Sequence, residues 1–241
     1  MSGLRVVAVG AATGVISALL AGFTLPYGNG IEDEPAQVIV DKGRQALHDA
    51  RSVRMLAKVE DPAGTVTLDL RFDVDGNCAG SVALPGDAGR ADIVKRGEDV
   101  WLKPDNAFVK SQTPGTAGED AIALINGRWI HGKAGNPMLR EFGDICDLSA
   151  FQREYASDRV TENVTKGGKA EVGGTPAITA TSSSGADRST YYVATEGEPR
   201  LLRVEGTQGG QRGTADFSDY DQPVPAKTPP PSESVDLSTL Q

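Results

Sequence analysis

The sequence predicts an α+β protein in which one curved antiparallel β-sheet is covered by an N-terminal helix and a short helical insertion. Three observations support this fold class. An amphipathic segment comes first, alternating strand-like segments lie on both sides of the chain's middle, and short helical patterns at 116–155 separate them. Antiparallel strands with helices gathered on one apolar face are typical of this class.

The first 26 residues predict export. A single Arg5 precedes an uncharged, apolar run at 6–25, which is typical of a signal peptide. Twenty such residues also suffice to span a bilayer, so residues 1–26 are either a cleaved signal peptide or a retained membrane anchor. "ISALLAGFTL" resembles a lipoprotein signal, but Phe23 stands where the acylated cysteine belongs. Both alternatives make the protein extracytoplasmic, either secreted or anchored at the outer face of the cytoplasmic membrane.

An amphipathic helix is predicted after Pro35, which suits a first helical turn. Its apolar residues fall on one stripe, as helical periodicity requires. They are Ala36, Ile39, Val40, Gly43 and Leu47. Such a helix needs an apolar surface to lie on.

The clearest strand is "TVTLDLRFDVD" at 65–75, which alternates apolar and polar residues without error. A second strand at 78–84 places its apolar residues on one face as well. A three-residue loop, Asp75-Gly76-Asn77, would set Val74 opposite Cys78 and keep both apolar faces together. A two-residue Asp75-Gly76 turn would mismatch the faces.

Further strands are predicted at 91–96, at 99–104 and near Phe108. Three short helices should follow. Thr116 and Glu119 form a capping box for the first, Asn136-Pro137 begins the second, and Asp147 caps the third.

After Arg159 the period returns to two, with glycine-rich turns between segments near 160–166, 177–182, 189–195, 200–206 and 212–217. Residues 32–222 therefore form the predicted folded domain. The proline-rich stretch at 223–241 is predicted to be a flexible tail.

The charge of the chain excludes some partners. The full sequence has 24 basic and 33 acidic residues. Residues 1–26 contain one basic and no acidic residue, so the remaining body has a formal charge of −10. With no run of Lys or Arg, the sequence predicts no binding to nucleic acid.

Two cysteines, Cys78 and Cys146, predict one disulfide, since an even number in an exported chain favours pairing. Two free buried thiols are the alternative. A redox-active or nucleophilic cysteine would need CxxC spacing or a nearby histidine, and the sequence has neither.

No motif indicates catalysis, a metal or a cofactor. Residues 127–134 have the spacing of a phosphate-binding loop, but Ala134 replaces the required Ser or Thr. "DVDGN" at 73–77 resembles part of a calcium loop, yet the twelfth position is Leu84. Neither His48 nor His131 has a local partner that suggests zinc or a hydrolase.

The apolar residues themselves remain as a candidate site. Short helices could rest on the strand face at 66–74 and leave a slot that admits an acyl chain. An ordinary packed core is the alternative for each residue. The candidate cavity-lining residues are Val66, Leu68, Leu70, Phe72, Val74, Met138, Leu139, Phe142 and Phe151.

With these features the sequence resembles LolA-like carrier proteins, and among them the LppX/LprG-type lipoproteins of the bacterial envelope. The resemblance covers roughly residues 36–237. It is carried by "VDKGRQALHDARSVRM", "GRADIVKRGEDVWLKPDNAFVK", "GRWIHG", "GEPRLLRVEG" and "ADFSDYDQPVPAKTPPP".

The resemblance implies a half-barrel of antiparallel sheet closed by helices around an apolar cavity, with no catalytic residues. It also implies non-enzymatic binding or transport of lipids or lipoprotein acyl chains outside the cytoplasm. The alternative is an envelope sensor or regulatory module of the same fold that binds a partner protein. Phe23 leaves acyl anchoring in doubt.

Overall fold

The computed structural model describes residues 28–156 and 163–240. The predicted export segment therefore lies outside the described residues. Within them, no helix is long and apolar enough to cross a membrane. The helices are α1 (Ala36–Asp49), α2 (Asn106–Gln112), α3 (Thr116–Ile125), α4 (Arg140–Asp144) and α5 (Leu148–Phe151), and a π-helical turn, Gln152–Ala156, continues α5.

The strands form one open, curved sheet with the order β12-β6-β5-β4-β3-β2-β1-β11-β10-β9-β8-β7. Neighbours are antiparallel except β12 and β6, which are parallel. The predicted α+β class and curved sheet are confirmed. The strands are β1 (Ser52–Asp61), β2 (Gly64–Asp73), β3 (Asn77–Ala83), β4 (Arg90–Arg96), β5 (Asp99–Pro104), β6 (Trp129–Lys133), β7 (Asn163–Val172), β8 (Thr175–Ser184), β9 (Asp187–Ala194), β10 (Leu201–Gln208), β11 (Gln211–Ser218) and β12 (Ser234–Asp236).

The β2–β3 hairpin has three loop residues, as predicted, but its register differs by two. Phe72 lies opposite Cys78, and the loop is 74–76. The Asp73 carboxylate accepts hydrogen bonds from the backbone N–H groups of Asp75 and Asn77, which closes the loop one residue earlier. Because the shift is even, the apolar residues of both strands still share one face.

Helix α1 packs on the inner face of the sheet, over β7–β10. Its buried residues are Ile39, Val40, Gly43 and Leu47, four of the five on the predicted stripe. Gly43 makes the closest approach, since a Cβ there would lie 2.7 Å from Val193 Cγ2. The helix begins directly after Pro35.

Helices α2 to α5 cover the other half of the inner face. The strand predicted near Phe108 is instead helix α2, because the Asp105 carboxylate accepts a hydrogen bond from Phe108 N and caps it. Asp147 caps α5 as predicted, through Ala150 N at 2.8 Å. Thr116 begins α3, but the N-cap residue is Gly115 and no side chain caps this helix.

The predicted disulfide between Cys78 and Cys146 is confirmed, with both residues fully buried. It joins β3 to the segment between α4 and α5. The helical insertion is therefore covalently fixed to the sheet.

The second half of the chain contains the five predicted strands. The main difference is β7, which spans 163–172 and not 160–166. Gly167 and Gly168 lie inside this strand, where its pairing with β8 shifts register. The sequence predicts a turn at these two glycines, but in the structure they mark a β-bulge within the strand.

The proline-rich end of the chain, for which the sequence predicts a flexible tail at 223–241, lies along the sheet between residues 224 and 237. Ala226 packs on the outer face of the sheet with Val94 and Trp101. Residues 234–236 then pair with β6, and Leu237 packs against the main core. Prolines lack an N–H group but still pack, and a short segment after them supplies the strand.

Candidate ligand-binding site

The inward-facing residues of the central strands become less buried along each strand. On β2, Leu70 and Phe72 are 0% exposed, whereas Val66 and Leu68 are only partly buried. On β1, Val53 is fully buried and Val59 is 37% exposed. Within the described residues, this face is therefore well covered at one end and partly open at the other.

We call the open part the apolar trough. Its residues are neighbours across strands, because Val59 pairs with Val66, Ala57 with both Leu68 and Ala215, and Ala215 with Val204. The trough is defined by Val59, Val66, Leu68, Val204 and Ala215, which are all at least partly accessible.

Small residues form the floor around the trough. Ala57 and Ala215 lie at its centre, and Gly213 and Gly206 continue the inward-facing rows of β11 and β10. Side chains of this size leave the backbone of the sheet close to the surface. A flexible hydrocarbon chain could lie along such a floor.

An aromatic cluster closes the covered end. The ring of Phe151 lies 6.0 Å from Phe72, 6.1 Å from Phe217 and 5.0 Å from Tyr155, measured between centroids. Phe72 and Phe217 are buried on the sheet. Tyr155 lies half-exposed at the end of the π-helical turn, so the cluster extends from the core to the surface.

A buried hydrogen bond joins the two helical regions at this cluster. The Gln152 amide donates to the carbonyl oxygens of Leu47 and Ala50, at 3.0 and 2.8 Å. These carbonyls lie at the C-terminal end of α1 and would otherwise lack partners. Gln152 thus holds α1 next to the helical insertion.

The predicted cavity-lining residues occupy three kinds of position. Val66 and Leu68 lie in the trough. Leu70, Phe72 and Leu139 are fully buried, and Phe142 and Phe151 are partly buried against the same core.

The remaining two lie elsewhere: Val74 is 39% exposed in the β2–β3 loop, and Met138 is 59% exposed ahead of α4. Alternation alone predicts that Val74 faces the cavity, but strand β2 ends at Asp73. For the other seven residues, contact with a ligand stays a prediction.

Sequence reasoning missed the β1 contribution to this face. Residues 52–61 alternate, with Val53, Met55, Ala57 and Val59 pointing inward. The period-two signal is present, but Arg54, Leu56 and Lys58 between these residues obscure it. The contributions of Ala215 and Phe217 depend on β11 pairing with β1, which no local pattern shows.

Charged groups of the central strands lie on the outer face. Arg54 Nη2 donates to Asp69 Oδ2 at 2.8 Å, and Arg203 pairs with Asp216. The Arg54 hydrogen bond lowers the pKa of Asp69 below its usual range. This alternation leaves positions 53, 55, 57 and 59 of β1 and the inward positions of β2 uncharged.

The outer face also carries a shallow surface pocket of about 310 Å³ across β1, β2 and β11. Charged residues and threonines surround it, so it suits a hydrocarbon poorly. It is formed by Lys58, Glu60, Thr65, Thr67, Arg212, Gly213 and Thr214. Across residues 28–156 and 163–240, no group of three His, Cys, Asp or Glu side chains could hold a metal ion.

Comparison with known proteins supports the fold. No protein family matches the sequence, and no curated protein matches it. Among solved structures, the lipoprotein LppX of Mycobacterium tuberculosis is similar with a TM-score of 0.52 at 12% identity, covering 80% of this chain and 98% of LppX. LprF of Mycobacterium bovis is similar with a TM-score of 0.55 at 13% identity, covering 80% of this chain and 96% of LprF.

Proposed function

We propose that the protein binds lipids or the acyl chains of lipoproteins outside the cytoplasm, without catalysis, and carries them in the apolar trough. Its fold is that of LppX and LprF, which confirms the predicted LppX-type resemblance at the level of the fold. The observation that carries the proposal is the partial exposure of a row of apolar residues at one end of the inner face. Such a face leaves apolar surface for a ligand.

The chemistry of the trough favours a hydrocarbon chain. Its accessible side chains are aliphatic, and its floor consists of alanine and glycine. Each methylene that moves from water onto such a surface contributes about 0.8 kcal/mol. A chain of ordinary length therefore gains enough from burial to bind without a charged partner in the trough.

The aromatic cluster marks the point at which a hydrocarbon chain bound in the trough would end. Phe151 and Tyr155 belong to the helical insertion, and Phe72 and Phe217 belong to the sheet. A shift of the π-helical turn away from the sheet would lengthen the trough toward the disulfide. In the described structure these rings are in contact, so the covered end is filled by side chains.

The first test is direct. The full-length protein is purified from its own envelope, extracted with organic solvent and analysed by mass spectrometry, and a fluorescent fatty acid is then displaced by unlabelled fatty acid. We expect a co-purified amphiphile and competition for the probe. Absence of both would contradict lipid binding, and a co-purifying protein in their place would favour the sensor alternative.

A matched pair of substitutions locates the site. Val59 and Val74 are nearly equally exposed valines, but Val59 lies in the trough and Val74 in the β2–β3 loop. About eight residues of extended chain, roughly 26 Å, separate Val74 from Val66, the partner of Val59. We expect Val59→Glu to weaken probe binding at least about tenfold, since a carboxylate would have to be desolvated by the chain.

Val74→Glu is the control and should leave probe binding unchanged. Equal losses in the two variants, or no loss in Val59→Glu, would exclude the trough as the site. Thermal unfolding of both variants shows whether either substitution acts through stability.

A further inference from the structure

Residues 224–237, which we call the strap, cross the outer face and end on the edge of the sheet. Arg96 Nη1 donates to the carbonyl oxygen of Ala226 at 3.2 Å, and Ala226 is buried against Trp101. The strap then adds β12 alongside β6. Beyond β12, Leu237 fills the space over Gly132. If Gly132 had a Cβ atom, that atom would lie 3.4 Å from Leu237 Cδ1.

The backbone pairing that holds the strap to the edge of the sheet is short. Strand β12 has only three residues, and it is parallel to a five-residue partner. Short parallel pairing contributes little by itself. Side chains at the junction therefore have a large influence on whether β12 stays in place.

His131 lies at this junction between two carboxylates. Its Nε2 is 3.0 Å from Asp99 Oδ1 on β5, and its Nδ1 is 3.3 Å from Asp236 Oδ2 on β12. The ring stacks on Trp101 at 4.5 Å between centroids, with 12° between the planes. The imidazole thus occupies a fixed position that joins the strap to the sheet.

This geometry depends on protonation. An imidazolium ion carries two N–H donors and can bind both carboxylates, whereas a neutral imidazole has one donor and leaves one carboxylate facing a lone pair. We propose that His131 is a pH-sensitive latch that holds the C-terminal strap on β6 when protonated and loosens it when neutral.

The charged groups around His131 support this direction. Lys133 also binds Asp99, at 2.9 Å, and that hydrogen bond together with His131 lowers the pKa of Asp99. Hydrogen bonds from Ser238 lower the pKa of Asp236. Both carboxylates therefore remain ionised in mildly acidic solution, where imidazole groups gain their proton.

Loosening the strap has a structural consequence. The backbone groups of β6 on the side of β12 would lose their partners, and an open strand edge can pair with another strand. Leu237 would also leave its place against Gly132 and Leu139. Rising pH would thus expose both a strand edge and a small apolar surface.

Amide hydrogen exchange of the full-length protein tests the latch. After correction for intrinsic exchange rates, the protection of residues 234–237 should fall at least about fivefold between about pH 5.5 and about pH 8, the range in which imidazoles titrate. Protection in α1 serves as the internal reference. A wild-type protection at 234–237 that does not depend on pH would overturn the proposal.

Three variants sharpen the test. His131→Gln should lower protection at both pH values and abolish its pH dependence, and Asp236→Asn should reduce the dependence while sparing α1. His48→Gln is the control, because His48 pairs with Asp49 on the solvent-exposed side of α1, away from the strap. The latch is wrong if His131→Gln retains the wild-type pH dependence, or if His48→Gln removes it.

Discussion

The two ends of the inner face differ although the same strands build both. At the covered end, Leu70 and Phe72 are sealed by α5, the π-helical turn and the disulfide. At the open end, Val59 and Val66 continue the same alternation but remain partly exposed. Alternation thus determines which face is apolar, and helix placement determines how much of that face remains accessible.

The difference extends to the size of the side chains. The covered end is filled by aromatic rings that belong to both helices and sheet. The open end has alanine and glycine at its centre, at Ala57, Ala215 and Gly213. We therefore expect stability to depend on the first end and ligand binding on the second.

The largest expected effect on stability is at Phe72. Phe72→Ala should lower the free energy of unfolding by about 4 kcal/mol, since it opens a cavity beneath Phe151. Leu68→Ala, on the same strand face, should cost about half as much or less, because Leu68 is only partly buried. Urea unfolding of the two variants measures the difference, and equal losses would show that the two ends do not differ in packing.

The disulfide comes next. Replacing both Cys78 and Cys146 with alanine should lower the free energy of unfolding by about 3 kcal/mol, because the unfolded chain regains the freedom of a long loop. Reduction of the wild-type protein should give a similar loss. If neither treatment lowers the unfolding midpoint, the insertion is held by packing alone.

Gln152 should have a smaller effect. Gln152→Leu leaves the carbonyl oxygens of Leu47 and Ala50 buried without donors, at a cost of about 2 kcal/mol. Gln112→Leu is the matched control, since Gln112 is exposed on α2 and should change stability by less than about 0.5 kcal/mol. Thermal unfolding measures the stability of both variants. Equal losses of stability would show that the buried hydrogen bonds of Gln152 contribute no more than an exposed glutamine does.

The smallest effect concerns the outer face. The pKa of Asp69 is lowered in the folded state, so its pairing with Arg54 stabilises the protein above the unfolded value of about 3.9 and is lost as pH falls through the lower folded value. The gain is at most about 1 kcal/mol, because both groups are partly solvated.

Unfolding measured between about pH 6 and about pH 3 should therefore show a weaker acid dependence in Asp69→Asn than in the wild type. Asp75→Asn, which alters an exposed aspartate of the β2–β3 loop, should keep the wild-type dependence. A reversed order would contradict the assignment.

Local patterns predicted much of the fold. The α1 stripe, the alternation of β2, the cap at Asp147 and the disulfide are encoded within a few residues or in a single pair. Each depends on an interaction that needs little knowledge of the rest of the chain. The even register shift of the β2–β3 hairpin shows that face matching is robust even where the loop is misplaced.

Long-range pairing limited the rest. The burial of Phe217 depends on β11 reaching β1 across most of the sequence, and β12 depends on an edge of β6 that no pattern in 223–241 shows. The local pattern around Phe108 predicts a strand, whereas the Asp105 carboxylate caps a helix there. Val66 and Leu70 lie on the same strand face yet differ in burial, a difference that periodicity does not report.

Gly43 sets the height of α1 above the sheet. With no side chain at the crossing point, the helix rests almost directly on Val193. Larger side chains at this position would move α1 away from β9 by graded distances, while the disulfide keeps the helical insertion attached to β3. The free energy of unfolding in such a series would measure how strongly the fold depends on close contact between this helix and the sheet.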